Sequence, residues 1–288
     1  MGIFVWRAKL LDEMTATSAG KGRSFQSRSQ SSFRGQLAGA VHRNADNLFF
    51  PHFFSPALFG AYAIAYRVMM LGVGNIAPAL TRIELAQARI RSDETRPGDI
   101  VRALILVVAI TTPLMAGLAA FGASAVQAVL GQGGWSDLET LLPPLAVAGA
   151  AQAPLSFLGG SACIALGQLR LQTTIAYTQT CVFLALIFAA PAIGLRTFTY
   201  LYAGASVLVL IAALIALFHR QEMRITAVAT PLVGIAFLSG VVYGISRLAG
   251  NSLAGGIAVG VMITCAAVVS GLLAVRRWHP GQLQAVKS

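Results

Sequence analysis

Long apolar runs separated by short polar breaks constrain this chain more than any other feature of its sequence. A helix needs about 20 apolar residues to cross the hydrocarbon core of a bilayer, so each run predicts one membrane-spanning helix. We count about eight such runs, which predicts an all-α, polytopic membrane helix bundle within residues 36–275. The runs are Leu37–Phe54, Pro56–Leu80, Ile100–Leu130, Leu141–Leu166, Gln172–Leu195, Phe198–Phe218, Ala227–Arg247 and Leu253–Val275.

The composition agrees with a membrane protein. Hydrophobic residues make up 56% of the 288 and charged residues only 11%, whereas soluble domains carry about 25% charged residues. The net charge of +11 is spread over basic residues between the apolar runs, which suits anionic lipid headgroups better than nucleic acid. Cys163, Cys181 and Cys265 lie in apolar runs without paired spacing. We therefore expect membrane lipids as partners, no nucleic acid, no metal site and no cofactor.

The two ends of the chain are polar. Residues 1–35 are rich in Ser, Gln, Arg and Gly, which predicts a disordered basic tail, and residues 276–288 form a short second tail. Arginines concentrate in alternate breaks, as at Arg82–Arg96, so the positive-inside rule places those breaks and both termini in the cytoplasm. The long Ala79–Asp99 break predicts an amphipathic helix on the inner headgroups, or else a solvated linker. The over-long third run is expected to end near Phe121.

Polar residues interrupt the first run. On a helix, Arg43 shares a face with Asp46 and Asn47, which are three and four residues further on. A charge at bilayer depth costs about 2.5–3.5 kcal/mol, which favours a cavity-facing set whose Arg43 offers its planar fork to a phosphate. The alternative is an internal Arg43–Asp46 pair that neutralises itself and packs against neighbouring helices.

The second run carries Tyr62, Tyr66 and Arg67. These residues could anchor the helix at the interface, with Arg67 extending to the headgroups. Their position well inside the run favours burial toward the bundle instead. The sequence has no glycine-rich phosphate loop, no Gly-x-Ser-x-Gly elbow and no clustered His, Cys and carboxylate set, so we expect a protein that is not an enzyme.

These residues resemble a known family. The segments Arg43–Asn47, Ser55–Tyr62 and Ala65–Arg67 are similar to the start of the C-terminal half of polysaccharide flippases. Those proteins are the O-antigen and exopolysaccharide exporters of the multidrug/oligosaccharidyl-lipid/polysaccharide superfamily. Pro113–Leu118, Gly134-Trp135 and Ala165–Gln168 resemble later spans of that family in order and spacing. The resemblance covers roughly Gly35 to Phe218.

The resemblance implies flipping of a polyprenyl-pyrophosphate-linked oligosaccharide across the inner membrane, by alternating access, for polysaccharide or lipopolysaccharide biosynthesis. It implies a helical lobe facing a central cationic cavity. Arg43 and Arg67 would hold pyrophosphate or an acidic sugar, and Asp46 would orient Arg43 or sense a coupling ion. Asn44 and Asn47 would bond sugar hydroxyls, and Tyr62 and Tyr66 belong to the same expected substrate-binding set.

The chain departs from the family in length and in one motif. From the resemblance we expect it to correspond only to the second lobe and the terminal helix pair, and Leu80–Ile83 stands where a Phe-Pro is usual. Rocking one lobe against another needs both lobes, so we expect self-association, a separate N-terminal lobe, or an inactive fragment. The alternative functions are a drug or cation antiporter, with Asp46 as its coupling site, and a non-transporting membrane fragment.

Overall fold

The computed structural model describes residues 37, 39–71, 73–74, 79, 82, 97–131 and 135–220, and their regular structure is helical. We number the main helices in chain order. They are α1 (39–53), α2 (Pro56–Leu71), α3 (Pro97–Leu130), α4 (Leu138–Phe157), α5 (Leu169–Ile193) and α6 (Leu195–Arg220). The predicted all-α fold is confirmed for this part of the chain.

Four of these helices are long and apolar enough to cross a membrane, which makes the chain a multi-pass membrane protein. They are Gly98–Leu130, Leu138–Ala165, Leu169–Ile193 and Leu195–His219. Helix α2, with 16 residues, is shorter than a full span. The two predicted spans after residue 220, the two predicted tails and most of the Ala79–Asp99 break lie outside the described residues.

Helix α3 is longer than the sequence led us to expect. It continues without interruption from Pro97 to Leu130, so the predicted end near Phe121 is wrong. The reason is a tertiary contact at Gly122, where an added Cβ would collide with the side chain of Leu142 on α4. This close packing favours the helical conformation well beyond Phe121. The helix ends instead at Gly131, whose φ of 87° suits a residue without a side chain.

Helix α4 lies at the centre of the bundle, in contact with α2, α3 and α6. In its most apolar stretch 78% of the residues are buried, against 28–44% in the other three spanning helices. Small residues allow this close contact. At Gly149 an added Cβ would lie 2.6 Å from Cγ of Met69 on α2 and 2.9 Å from Sδ of Met115 on α3. Three helices therefore meet at one glycine.

Tight turns join the helices that follow. Helix α4 continues through a π-helical turn, Leu158–Ala162, into the short helical segment Cys163–Ala165. Helices α5 and α6 are separated by Gly194 alone, whose φ of 82° favours glycine over residues with a Cβ. The Gly194 N–H donates to the carbonyl of Ala190 at 2.9 Å, and its own carbonyl accepts from Phe198 N–H at 3.0 Å. Helices α5 and α6 thus form a hairpin with a one-residue turn.

An aromatic cluster holds α1 and α2 against this hairpin. The ring of Phe50 on α1 lies 5.1 Å from that of Tyr62 on α2 and 5.0 Å from that of Phe198 on α6. Both of these contacts are edge-to-face, the arrangement that the ring quadrupoles favour. On α5, Phe183 lies 4.8 Å from Tyr202 of α6. All five rings are buried, so they fix the position of the polar residues on α1.

Candidate functional site

Helix α1 divides its polar residues between two faces. His42 and Asp46, one turn apart, point into the bundle, with exposed fractions of 8% and 0%. Arg43, Asn44 and Asn47 are exposed. The expected single face shared by Arg43, Asp46 and Asn47 is therefore wrong. Residues three apart differ by about 60° around a helix of 3.6 residues per turn, and the packed boundary falls between Arg43 and Asp46.

The Asp46 carboxylate is held by α2. The Tyr62 hydroxyl donates to Oδ2 at 2.9 Å, and the Asn47 backbone N–H donates to Oδ1 at 2.9 Å. Among the described residues no ion pair joins Asp46 to Arg43, so the alternative of a self-neutralising pair is not observed. The fully buried Tyr62 supplies the side-chain donor to Asp46 that the alternative interpretation assigned to Arg43.

Removal of the Tyr62 hydroxyl is expected to destabilise the bundle modestly. Hydrogen bonds in membrane bundles contribute about 0.6 kcal/mol on average and up to about 1.7. Within the described part of the chain no other side chain donates to the Asp46 carboxylate, which puts Tyr62→Phe near the upper figure. Unfolding of the purified protein by denaturant in detergent measures the loss. The matched control is Tyr200→Phe on the exposed side of α6, which should change nothing. Equal unfolding free energies for both variants would contradict the assigned contact.

A cleft that is partly open to the outside lies beside this contact. It brings together residues from α1, α2, α4, α5 and α6. The Arg43 guanidinium lies close to Gly39, which also lines the cleft. A Cβ added at Gly39 would lie 3.4 Å from Nη1 of Arg43. The described residues that line the cleft are Gly39, His42, Arg43, Tyr66, Met70, Val73, Gln152, Ser156, Ala176, Gln179, Thr180 and Tyr202.

The cleft contains some of the predicted substrate-binding residues and not others. Arg43 and Tyr66 line it. Tyr62 is not among the described lining residues, but its ring stacks on that of Tyr66, with 5.8 Å between the ring centroids. Asp46 is fully buried and is not among those lining residues either. Asn44, Asn47 and Arg67 are exposed and lie outside the cleft lining. Asn44 donates its amide to the Ala40 carbonyl of its own helix at 2.8 Å. The binding roles of these residues stay predictions.

The structure adds cleft residues that the sequence reasoning missed. Gln179 on α5 donates through Nε2 to Oε1 of Gln152 on α4 at 3.1 Å, and Gln152 donates through Nε2 to the Ser206 hydroxyl on α6 at 3.3 Å. The Tyr202 hydroxyl lies 3.4 Å from Nε2 of His42. The sequence did contain a signal for these residues, since Gln152 and Gln179 each lie inside an otherwise apolar run. Burial of an amide is costly unless it is hydrogen-bonded, so each glutamine pointed to a polar partner.

The cleft is suited to an anion. Arg43 is the only Arg or Lys among its described lining residues, and that lining contains no Asp or Glu. The remaining polar groups are amides, hydroxyls and the His42 imidazole. A guanidinium presents several N–H donors in one plane and binds phosphate or carboxylate with two parallel hydrogen bonds. The cleft can therefore hold one anionic group next to neutral hydrogen-bonding groups.

Comparison with known proteins supports the resemblance drawn from the sequence motifs. A family model described as polysaccharide biosynthesis protein matches residues 17–138, which include all of α1, α2 and α3. Over these residues the chain is similar to a polysaccharide flippase-type family, and the predicted resemblance to that family is confirmed. Correspondence to the C-terminal half of its members stays a prediction. No curated protein and no solved structure matches the chain.

Proposed function

We propose, on the basis of this similarity to polysaccharide biosynthesis proteins, that the chain transports a lipid-linked saccharide and is not an enzyme. The cargo is a polyprenyl-pyrophosphate-linked oligosaccharide, flipped across the inner membrane for polysaccharide or lipopolysaccharide biosynthesis. The proposed arrangement keeps about eight spans, with both chain termini in the cytoplasm. The family match supports a role in polysaccharide synthesis or transport, and the cleft supports this choice of cargo.

The position of Arg43 is the observation that carries the proposal. Its guanidinium lines a cleft whose described lining residues include no carboxylate. A phosphate oxygen therefore meets an attractive charge without an opposing one. Met70 and Val73 of the same lining are apolar, so they offer apolar contacts to the first part of a prenyl chain. Both halves of a prenyl pyrophosphate find suitable surroundings in one place.

Transport by alternating access requires a second lobe, because the movement is a rocking of one lobe against another. The proposed partner is a second copy of this chain or a separate N-terminal lobe. The exposed residues of α1, among them Val41, Asn44 and Leu48, lie next to Arg43 on the side available to such a partner. In that arrangement the cleft faces the space between the two lobes.

The alternative function is a drug or cation antiporter, in which Asp46 would be the coupling site. Asp46 is fully buried and receives the Tyr62 hydroxyl, and it does not belong to the described lining of the cleft. Among the described lining residues an organic cation would meet Arg43 and no opposite charge. These observations favour an anionic cargo over a cationic one. A non-transporting fragment would bind neither.

The test is a comparison of an anionic and a cationic probe on the full chain in lipid nanodiscs. We expect farnesyl pyrophosphate to bind above the level of empty nanodiscs, with an affinity that falls as salt is raised, because the cleft is open to solvent and screened. Tetraphenylphosphonium should not bind. Binding of the cation with no binding of the pyrophosphate would replace this proposal by the antiporter, and binding of neither would favour the fragment.

A further inference from the structure

Four helices bring polar side chains to one place inside an otherwise apolar bundle. They are His42 of α1, Gln152 of α4, Gln179 of α5, and Tyr202 and Ser206 of α6. In a chain with 56% hydrophobic residues, apolar side chains would fill this space without the cost of burying polar atoms. The arrangement therefore needs an explanation other than packing.

These side chains have more hydrogen-bonding capacity than the described residues use. A glutamine amide can take part in four hydrogen bonds, two as donor and two as acceptor. The described contacts give the Gln179 side chain one, whereas the Gln152 side chain contacts Gln179, Ser206 and Tyr202. His42 is only 8% exposed, and its described polar neighbours are the Tyr202 hydroxyl, 3.4 Å from Nε2, and the backbone of Gln179. A set of donors and acceptors is left for a group that enters from outside.

His42, Gln152, Gln179 and Tyr202, which we call the polar wall, line two neighbouring cavities. These are the cleft that contains Arg43 and a smaller space beside it. The polar wall lies in the same cleft as Arg43, but its own groups are uncharged amide and hydroxyl groups and one imidazole. Aromatic faces accompany it, since Tyr202 stacks on Phe198 with an angle of 8° between the rings.

We propose that the polar wall is the subsite for a neutral, hydroxyl-bearing sugar ring attached to the phosphate that Arg43 binds. This inference rests on the proposed function and specifies its cargo. Amides and imidazole exchange hydrogen bonds with hydroxyl groups through donors and acceptors alike, whereas they offer no charge to an acidic sugar. Among the described lining residues Arg43 carries the one guanidinium, and the phosphate occupies it, so the first sugar of the cargo is uncharged. Gln179, the more exposed of the two glutamines, is the residue that determines specificity.

The test measures the gain in affinity that a sugar provides. The probes are farnesyl pyrophosphate and farnesyl-pyrophosphate-linked N-acetylglucosamine, bound to the full chain in nanodiscs. We expect the sugar-bearing probe to bind about tenfold more tightly to the natural protein, which corresponds to about 1.4 kcal/mol. In Gln179→Met, which keeps the volume and removes the amide, the two affinities should agree within about twofold.

A matched variant separates this role from a structural one. Gln172→Met removes a buried amide two turns earlier on α5, outside the lining of either cavity, and should keep the tenfold preference. Arg43→Ala should weaken both probes equally. If the natural protein binds the two probes with equal affinity, the sugar subsite is wrong while the proposed function stands. If it binds neither probe, the proposed function is wrong and the subsite with it.

Discussion

Replacement of Arg43 by alanine is expected to lower the affinity for farnesyl pyrophosphate at least tenfold without loss of folded protein. Hydrogen bonds to charged groups contribute about 1.5–3 kcal/mol, and tenfold corresponds to about 1.4 kcal/mol. The Arg43 side chain is exposed, and within the described residues it has no ion-pair partner. Its removal therefore leaves no buried group unsatisfied. The measurement is a binding titration in nanodiscs, with size-exclusion chromatography to verify folding.

Two further variants sharpen this prediction. Arg67→Ala removes an equally exposed arginine on α2, outside the cleft, and should leave binding unchanged. Arg43→Lys keeps the charge but loses the planar fork, so an intermediate loss is expected. The corresponding Arg43→Ala change in an intact exporter should abolish surface polysaccharide at normal protein levels. Equal affinities for Arg43→Ala and Arg67→Ala would remove the anion-binding role of the cleft.

The replacement Gly149→Val is expected to have the largest effect on stability, about 3 kcal/mol. Even an added Cβ would lie 2.6 Å from Met69 Cγ and 2.9 Å from Met115 Sδ, and valine adds two more carbons. Overpacking of a tight interior costs typically 1–3 kcal/mol and occasionally more. Here the clash involves α2 and α3 together, so relief at one helix does not relieve the other. Denaturant unfolding in detergent measures the loss.

The control for this prediction is Gly204→Val on α6. No atom lies within 4 Å of the position of an added Cβ at Gly204, and valine has a slightly better helix propensity than glycine. We therefore expect unchanged or slightly higher stability for this variant. A stability of Gly149→Val equal to that of Gly204→Val would mean that α2 and α3 do not meet on α4 as described.

The sequence predicted the helices well because length and hydropathy alone decide whether a segment can cross a bilayer. Four of the predicted runs correspond to described spanning helices. The end of α3 was wrong because the contact between Gly122 and Leu142 joins residues far apart in the sequence. No pattern within Ile100–Leu130 reveals that neighbour. The central position of α4 was equally hidden, since its composition resembles that of the other runs.

Only part of the candidate site could be predicted, because its other residues are brought together by contacts between helices that are distant in the sequence. Spacing on one helix indicated that Arg43 and Asp46 were polar residues of interest, and Tyr66 followed from its place in α2. Spacing could not indicate that Tyr62 would reach Asp46, nor that Gln152 and Gln179 would meet across two helices. Those contacts depend on which helices are neighbours in the bundle. A lone glutamine in an apolar run indicates a polar partner but not its identity.

The one-residue turn at Gly194 has a consequence for how the protein is made and moves. Two long helices joined by a single residue have no free loop between them, so we expect them to insert into the bilayer as a pair during synthesis. Gln179 and Ser206, one on each helix of this hairpin, both contact Gln152. A movement of the hairpin relative to α4 is therefore expected to act on both contacts.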